Sequence, residues 1–218
     1  MIRIPSTSTT TFENRYWDGQ RSQVAYAVAK PLKARQVPDA WRSPKIAHVG
    51  PILGECALDL KDVFAPGTFL GVTPQGWMRV RDASGRVHPQ VWEHAEAWLA
   101  RASAVVLSLD DVKGNWSLIH SYAQLTKLLV VTRGWLGGVL FQSGHSSSFS
   151  APTVREIDPT GAGDIFSSCF FARVAAGCDP EIAVRFASCV AAQSVSRPGL
   201  GAVPQSEKIQ SCAETWSC

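Results

Sequence analysis

The sequence predicts an α/β fold, a mostly parallel sheet held between layers of helices. Apolar runs such as Ala104-Val105-Val106-Leu107 and Leu128-Leu129-Val130-Val131 read as strands, and they alternate with segments whose apolar residues recur at helical spacing. That alternation favours parallel strands, because crossover helices cover the faces of the sheet. The composition agrees: 218 residues, 45% hydrophobic and 18% charged, can enclose a sizeable core in one domain.

Residues 1–30 are polar and read as a lid or edge segment, and a strand is expected near 46–53. Pro89 suits a first helical position, and Val91, Ala95, Trp98, Leu99 and Ala102 share one face, so a helix is expected over 89–102. A strand near 104–108, a helix near 114–125, a strand near 128–132 and a hairpin near 137–150 follow. Phe166, Cys169, Phe170 and Val174 fall on one stripe of a helix over 161–177, with Gly177 as its stop signal. Ala183, Phe186, Ala187, Val190, Ala191 and Ser194 mark a second helix over 180–195, broken by Arg197-Pro198-Gly199-Leu200-Gly201. Residues 1–204 are therefore expected to form one domain and 205–218 an exposed tail.

A net charge of +3 without a Lys/Arg block gives no electrostatic case for nucleic acid or an anionic membrane as partner. No apolar run reaches the length of a membrane span and the N-terminus lacks the apolar core of a signal peptide, so a cytoplasmic location is the default expectation. Cys56, Cys169, Cys178, Cys189, Cys212 and Cys218 show no C-x-x-C spacing and are expected to be reduced and mostly buried. His48, His88, His94, His120 and His145 are too scattered for a zinc site or a nucleophile-activating base and read as structural or surface residues. Neither a Gly-x-x-x-x-Gly-Lys-Ser/Thr loop nor an early Gly-x-Gly-x-x-Gly occurs, which argues against Walker-type NTPases and dinucleotide-binding oxidoreductases.

The chemistry is concentrated in Asp158-Pro159-Thr160-Gly161-Ala162-Gly163-Asp164, a glycine turn running into an apolar helix. With almost no side chain at Gly161, Ala162 and Gly163, successive amide N–H groups can close on an anion, and the positive end of the helix favours the same charge. Asp164 stands in the first turn, where a carboxylate can take a proton from a hydroxyl attacking a terminal phosphate; the same residue also suits a simple complement to the helix dipole. Upstream, Leu128–Val131 leads into Thr132-Arg133-Gly134-Trp135-Leu136-Gly137-Gly138, a strand–glycine turn–strand pattern that an ordinary hairpin would also produce.

These two motifs together resemble the ribokinase-like (PfkB) carbohydrate kinases, whose C-terminal signature is Asp-Thr-x-Gly-Ala-Gly-Asp; here Pro159 replaces the threonine. The resemblance implies a three-layer ribokinase-like sandwich with part of a β lid. It also implies ATP and Mg²⁺ as cofactors, and a sugar, sugar-like polyol or nucleoside as the small-molecule acceptor. Asp164 becomes the catalytic base, Gly161, Ala162 and Gly163 the anion hole, and Thr132, Gly134 and Gly137 contacts of the nucleotide. Where the family often has Asn-x-x-Glu near magnesium and the phosphates, this chain has Ser108-Leu109-Asp110-Asp111, so Ser108 falls beside the nucleotide and Asp111 on a magnesium-bound water; a helix cap explains the same residues. By the same analogy Ser188 lies near adenine, and Asp158, Thr160, Ser194, Arg197 and Gly199 are candidates for a monovalent-cation loop, though a packed helix and exit loop would suffice.

The resemblance covers nearly all of this chain but not all of the family. The opening Thr9-Thr10-Thr11-Phe12-Glu13-Asn14 and Asp18-Gly19-Gln20-Arg21 look like lid strands that follow the family's N-terminal third, and no acceptor-binding Gly-Gly segment precedes position 137. The expectation is a kinase lacking that third, with an exposed sheet edge that could pair with a second copy as a homodimer. The alternative is a non-catalytic nucleotide-binding or structural remnant.

Overall fold

The computed structural model describes residues 3–17 and 20–218. Strands β1 (Thr11–Trp17) and β2 (Gln20–Ala27) form an antiparallel ribbon at the expected lid segment; Asp18 and Gly19 lie outside the described residues. The main sheet begins with β3 (Ile46–Val49) and β4 (Phe69–Val72), followed by a second small ribbon, β5 (Arg79–Arg81) with β6 (Val87–Pro89). Then come α1 (Ala95–Arg101), β7 (Ala104–Ser108), α2 (Trp116–Leu125), β8 (Leu128–Thr132), β9 (Gly138–Gln142) and β10 (His145–Phe149). Helices α3 (Ala162–Ala175), α4 (Pro180–Ser194) and α5 (Ser206–Thr215) complete the chain.

The sheet order is β10-β9-β8-β7-β4-β3, with β3, β4, β7 and β8 parallel and the β8–β9–β10 side antiparallel. Both faces are buried, and the two-residue period of a strand sorts the side chains between them. Val105, Leu107, Leu129 and Val131 pack with Trp98 and Leu99 of α1 and Ile119 and Tyr122 of α2. Ala104, Val106, Leu128 and Val130 pack with Phe166, Phe170 and Phe171 of α3 and Ala183, Val184 and Ala187 of α4. The result is the expected three-layer arrangement of helices, sheet and helices.

The structure departs from the sequence reading in four places. Strand β4 was not expected: Phe-Leu-Gly-Val is short, and its glycine is explained only by the fold, because a Cβ at Gly71 would collide with the ring of Phe171. The expected helix over 89–102 shortens to α1, since Pro89 pairs with Arg79 in β6, and Gln90 holds the ribbon through its N–H on Met78 O (2.8 Å) and its side-chain amide on the carbonyls of Trp77 and Arg79 (both 3.0 Å). Val91 is correspondingly 83% exposed.

The segment 205–218 is not a bare tail: α5 docks on α4, with Cys212 buried beside Phe186 and Val190 and Trp216 at the edge of the same cluster. The cysteines are not all reduced either. Cys178 is bonded to Cys218 and Cys189 to Cys212, with Cα separations of 5.2 and 5.9 Å, leaving Cys56 and Cys169 as free thiols. Burial pushes the Cys56 thiol up to about 12. Among the described residues no helix is long and apolar enough to cross a membrane.

Candidate active site

The glycine turn sits where the C-terminal edge of the sheet meets the start of α3. Gly161 is the N-cap, with a φ of 86° that only glycine adopts readily, and its carbonyl accepts the first helical bond from Ile165 (3.0 Å). Ala162 donates to Pro159 O (3.2 Å), closing the turn on itself. Asp164 follows in the first turn; its carboxylate is exposed and has no hydrogen-bond or ion-pair partner among the described residues, while its carbonyl accepts from Ser167 Oγ (3.1 Å).

The turn opens onto a cavity of about 520 Å³. It gathers Thr132, Gly134 and Gly137 from the β8–β9 turn, Ala162 and Gly163 from α3, and Ser188 from α4, which are residues the sequence singled out from three separate motifs. Ser188 is buried, yet its hydroxyl has no partner among the described residues. The remaining walls, including Trp135, Phe149, Pro152, Val154, Ala191 and Val195, were not foreseen. Ala191 and Val195 carried a usable signal, since they lie one turn and two turns along α4 from Ser188; the loop at Pro152–Val154 carried none. Size and lining suit a flat heteroaromatic ring with a polar tail.

The glycines around this cavity differ in kind. At Gly137, with φ 84°, a Cβ would run into the backbone of Phe149 and Ser150, so the residue is demanded by the close hairpin. Gly163 has ordinary helical backbone and nothing within 4 Å of a built Cβ. Packing gives no reason for glycine there, and alanine would favour the helix by up to about 1 kcal/mol.

The other sequence candidates lie elsewhere. Ser108 and Asp111 form a reciprocal cap: Asp110 N–H donates to Ser108 Oγ (3.2 Å) and Ser108 N–H to Asp111 Oδ2 (2.9 Å). Asp111 Oδ1 also accepts from Gln75 Nε2 (3.1 Å) and lies 3.9 Å from Arg79, with the side chain only 7% exposed. A carboxylate so engaged does not fit a magnesium-bound water, and Ser108 does not line the cavity. The proposed cation-loop segments do meet, because Asp158 accepts from Thr160 N (3.0 Å) through one oxygen and Gly199 N (3.1 Å) through the other; these bonds, the Thr160 side chain foremost, hold its carboxyl below the usual range. Ser194 turns its hydroxyl back to Ala191 O (2.7 Å), and Arg197 is exposed. Among the described residues no group of three His, Cys, Asp or Glu could hold a metal ion.

A second cavity of about 780 Å³ lies between the β1–β2 ribbon and the core, lined by Arg15, Ser22 and Gln23 from the ribbon and Arg79, Arg86, Asp110 and Asp111 from below. The ribbon is tied down by Arg81 Nε on Ala25 O (2.6 Å) and Ala25 N on Gly85 O (2.8 Å). The two cavities flank the same strand ends, since Ser108, beside Asp110, pairs with Thr132 across β7 and β8.

Comparison with known proteins places this geometry in context. Among solved structures, a pyrophosphate-dependent kinase of the ribokinase family, complexed with a pyrophosphate analog and myo-inositol, superposes with a TM-score of 0.79 at 22% identity, over 95% of this chain and 75% of that one. Ribokinase from Thermotoga maritima gives 0.74 at 20%, over 98% and 72%, and Arabidopsis thaliana ribokinase complexed with ribose and ATP gives 0.61 at 17%, over 89% and 65%. These likenesses establish the ribokinase-like fold. No curated protein matches the sequence. Residues 93–208, more than half of the chain, match the family described as pfkB family carbohydrate kinase, and they contain α3, α4, the glycine turn and the first cavity, so the chain belongs to the pfkB carbohydrate kinase family.

Proposed function

We propose that the protein transfers the terminal phosphoryl group of ATP to a hydroxyl of a sugar or cyclic polyol. The observation that carries this reading is Gly163: a helix-start glycine that the fold does not need, opening onto an adenine-sized cavity and followed by a carboxylate without a hydrogen-bond or ion-pair partner among the described residues. In this reading the amides of Gly161 and Gly163 hold the transferring phosphoryl group, with Ala162 a weaker donor because Pro159 O already takes its N–H. Asp164 accepts the acceptor's proton as its oxygen attacks phosphorus in line. The nucleoside lies between Trp135, Phe149, Val154 and Val195. A bare pyrophosphate donor would leave those apolar walls without an occupant. The acceptor lies under the β1–β2 lid, in the cavity whose guanidinium, amide and carboxylate groups suit a molecule with many hydroxyls.

Titration calorimetry on the wild type and Gly163→Ala tests the donor site. Mg·ATP is expected to bind the wild type, with affinity reduced roughly tenfold in Gly163→Ala while thermal stability holds or rises. Pyrophosphate binding in place of ATP would reassign the donor. The non-catalytic remnant is the second reading, favoured by the engaged Asp111 carboxylate; it is selected if ATP binds and no polyol is phosphorylated.

A further inference from the structure

The four parallel strands begin at one end of the sheet, opposite the glycine turn, and each is entered through a polar residue. Lys45 precedes β3, Thr68 precedes β4, Ser103 precedes β7 and Lys127 precedes β8. The strand order β8-β7-β4-β3 sets Lys127, Ser103, Thr68 and Lys45 in sequence across three strand spacings, about 14 Å. All four line one cavity of about 550 Å³, together with Arg101, the last residue of α1. Among the described residues that line it there is no Asp or Glu, and Lys45, Arg101 and Lys127 have no ion-pair partner. Arg101 gives only Nη2 to Phe64 O (3.0 Å), so its Nε and Nη1 are unengaged among the described residues.

The end of α3 does not account for these charges. Val174 and Ala175 wall the cavity, and basic side chains favour the carbonyls of a helix C-terminus. The carbonyls of Ala172, Arg173 and Val174 are already taken, however, by the N–H groups of Ala176, Gly177 and Cys178 at 3.0–3.2 Å. Ser103 adds a neutral donor: its Oγ accepts from Leu70 N (3.0 Å), which leaves its own proton without an acceptor among the described residues. Ala100 and Lys127 also line a neighbouring groove of about 1100 Å³, whose other ionisable side chains among the described residues are His120 and His145, so the excess of one sign continues beyond the cavity. Three cations and a hydroxyl donor in such a row suit a chain of phosphoryl groups, which carries charge and acceptor oxygens along its length, better than a single small anion. We infer that this end of the sheet is a binding site for an oligophosphate anion, separate from the donor cavity at the other end of β8.

The test is calorimetric titration of inorganic tripolyphosphate into the wild type, the double variant Lys45→Gln/Lys127→Gln, Gly163→Ala, and a charge-matched control, Lys30→Gln/Lys208→Gln. Lys30 and Lys208 are exposed and line neither the cavity nor the groove. Affinity is expected to fall at least about tenfold in Lys45→Gln/Lys127→Gln and to stay within about twofold in the control and in Gly163→Ala. Absence of binding to the folded wild type overturns the site. So does an equal loss in the control, which means general charge attraction, or a loss confined to Gly163→Ala, which means the donor cavity. Orthophosphate is expected to bind at least about tenfold more weakly than tripolyphosphate, and equal affinity overturns the assignment to a phosphate chain. Uridine triphosphate run in parallel separates a nucleotide tail from a free chain: the same dependence on Lys45 and Lys127 is expected of both, and the tighter binder names the source.

Discussion

The donor side and the lid side of this molecule are built on opposite plans. The donor cavity is walled by two long helices and a strand hairpin from one contiguous stretch, 132–195, and is largely apolar. The lid cavity draws on residues 15–24, 78–89 and 110–111, carried by short strands and single turns, and its working groups are charged. Regular elements from one stretch give a cavity that exists before its ligand does. Charged groups on thin ribbons give a site whose shape depends on what enters it, because some of its groups are held by one another when the site is empty. Glu13 illustrates this: it binds Arg15 through both oxygens (2.9 Å each) and also accepts from Tyr26.

The sharpest probe of this division is Asp164→Asn. It should cost at least about a hundredfold in kcat while calorimetry shows ATP affinity little changed, separating chemistry from the preformed donor wall. Next comes reduction of the two disulfides. On chain-entropy grounds each contributes about 3 to 4 kcal/mol, and denaturant unfolding with and without dithiothreitol should show most of that loss. Because α5 backs α4 through Phe186 and Val190, ATP binding should weaken on reduction while the lid ribbon is untouched. Arg86→Ala is smaller: an exposed lid-side group with no side-chain partner among the described residues, its loss should raise the acceptor KM several-fold and leave donor Kd and stability alone. An equal effect on donor affinity would break the two-plan view.

The smallest effect is on stability against pH. The folded state holds His48 below its ordinary value of 6.5, so the unfolded chain takes up this proton first. Stability should therefore fall as pH drops below about 6.5, and His48→Gln should remove that part of the slope in urea melts.

What could be read from the chain beforehand follows the same line. Strands β7 and β8 are unbroken apolar runs, and the predicted ranges 104–108 and 128–132 coincide with them. Thr132, Gly134, Gly137, Gly163 and Ser188 converge because their motifs sit on neighbouring regular elements. Arg15, Gln23, Arg79 and Arg86 gave no pattern, since nothing in their local spacing says that two ribbons close over one another. The disulfides were invisible for a related reason: their partners stand 40 and 23 residues apart, and only the docking of α5 brings them together. His48 read as a structural or surface histidine because its edge-on contact with Phe171 joins residues more than a hundred positions apart.

The covalent ties of α5 also impose a schedule. During synthesis the walls of the donor cavity leave the ribosome before the helix that braces α4, so Phe186 and Val190 face solvent until α5 follows and oxidation locks it down. A nascent chain stalled between α4 and α5 should thus hold a nearly complete first cavity with an uncovered apolar back, a species that chaperones would recognise and that mature protein would not resemble.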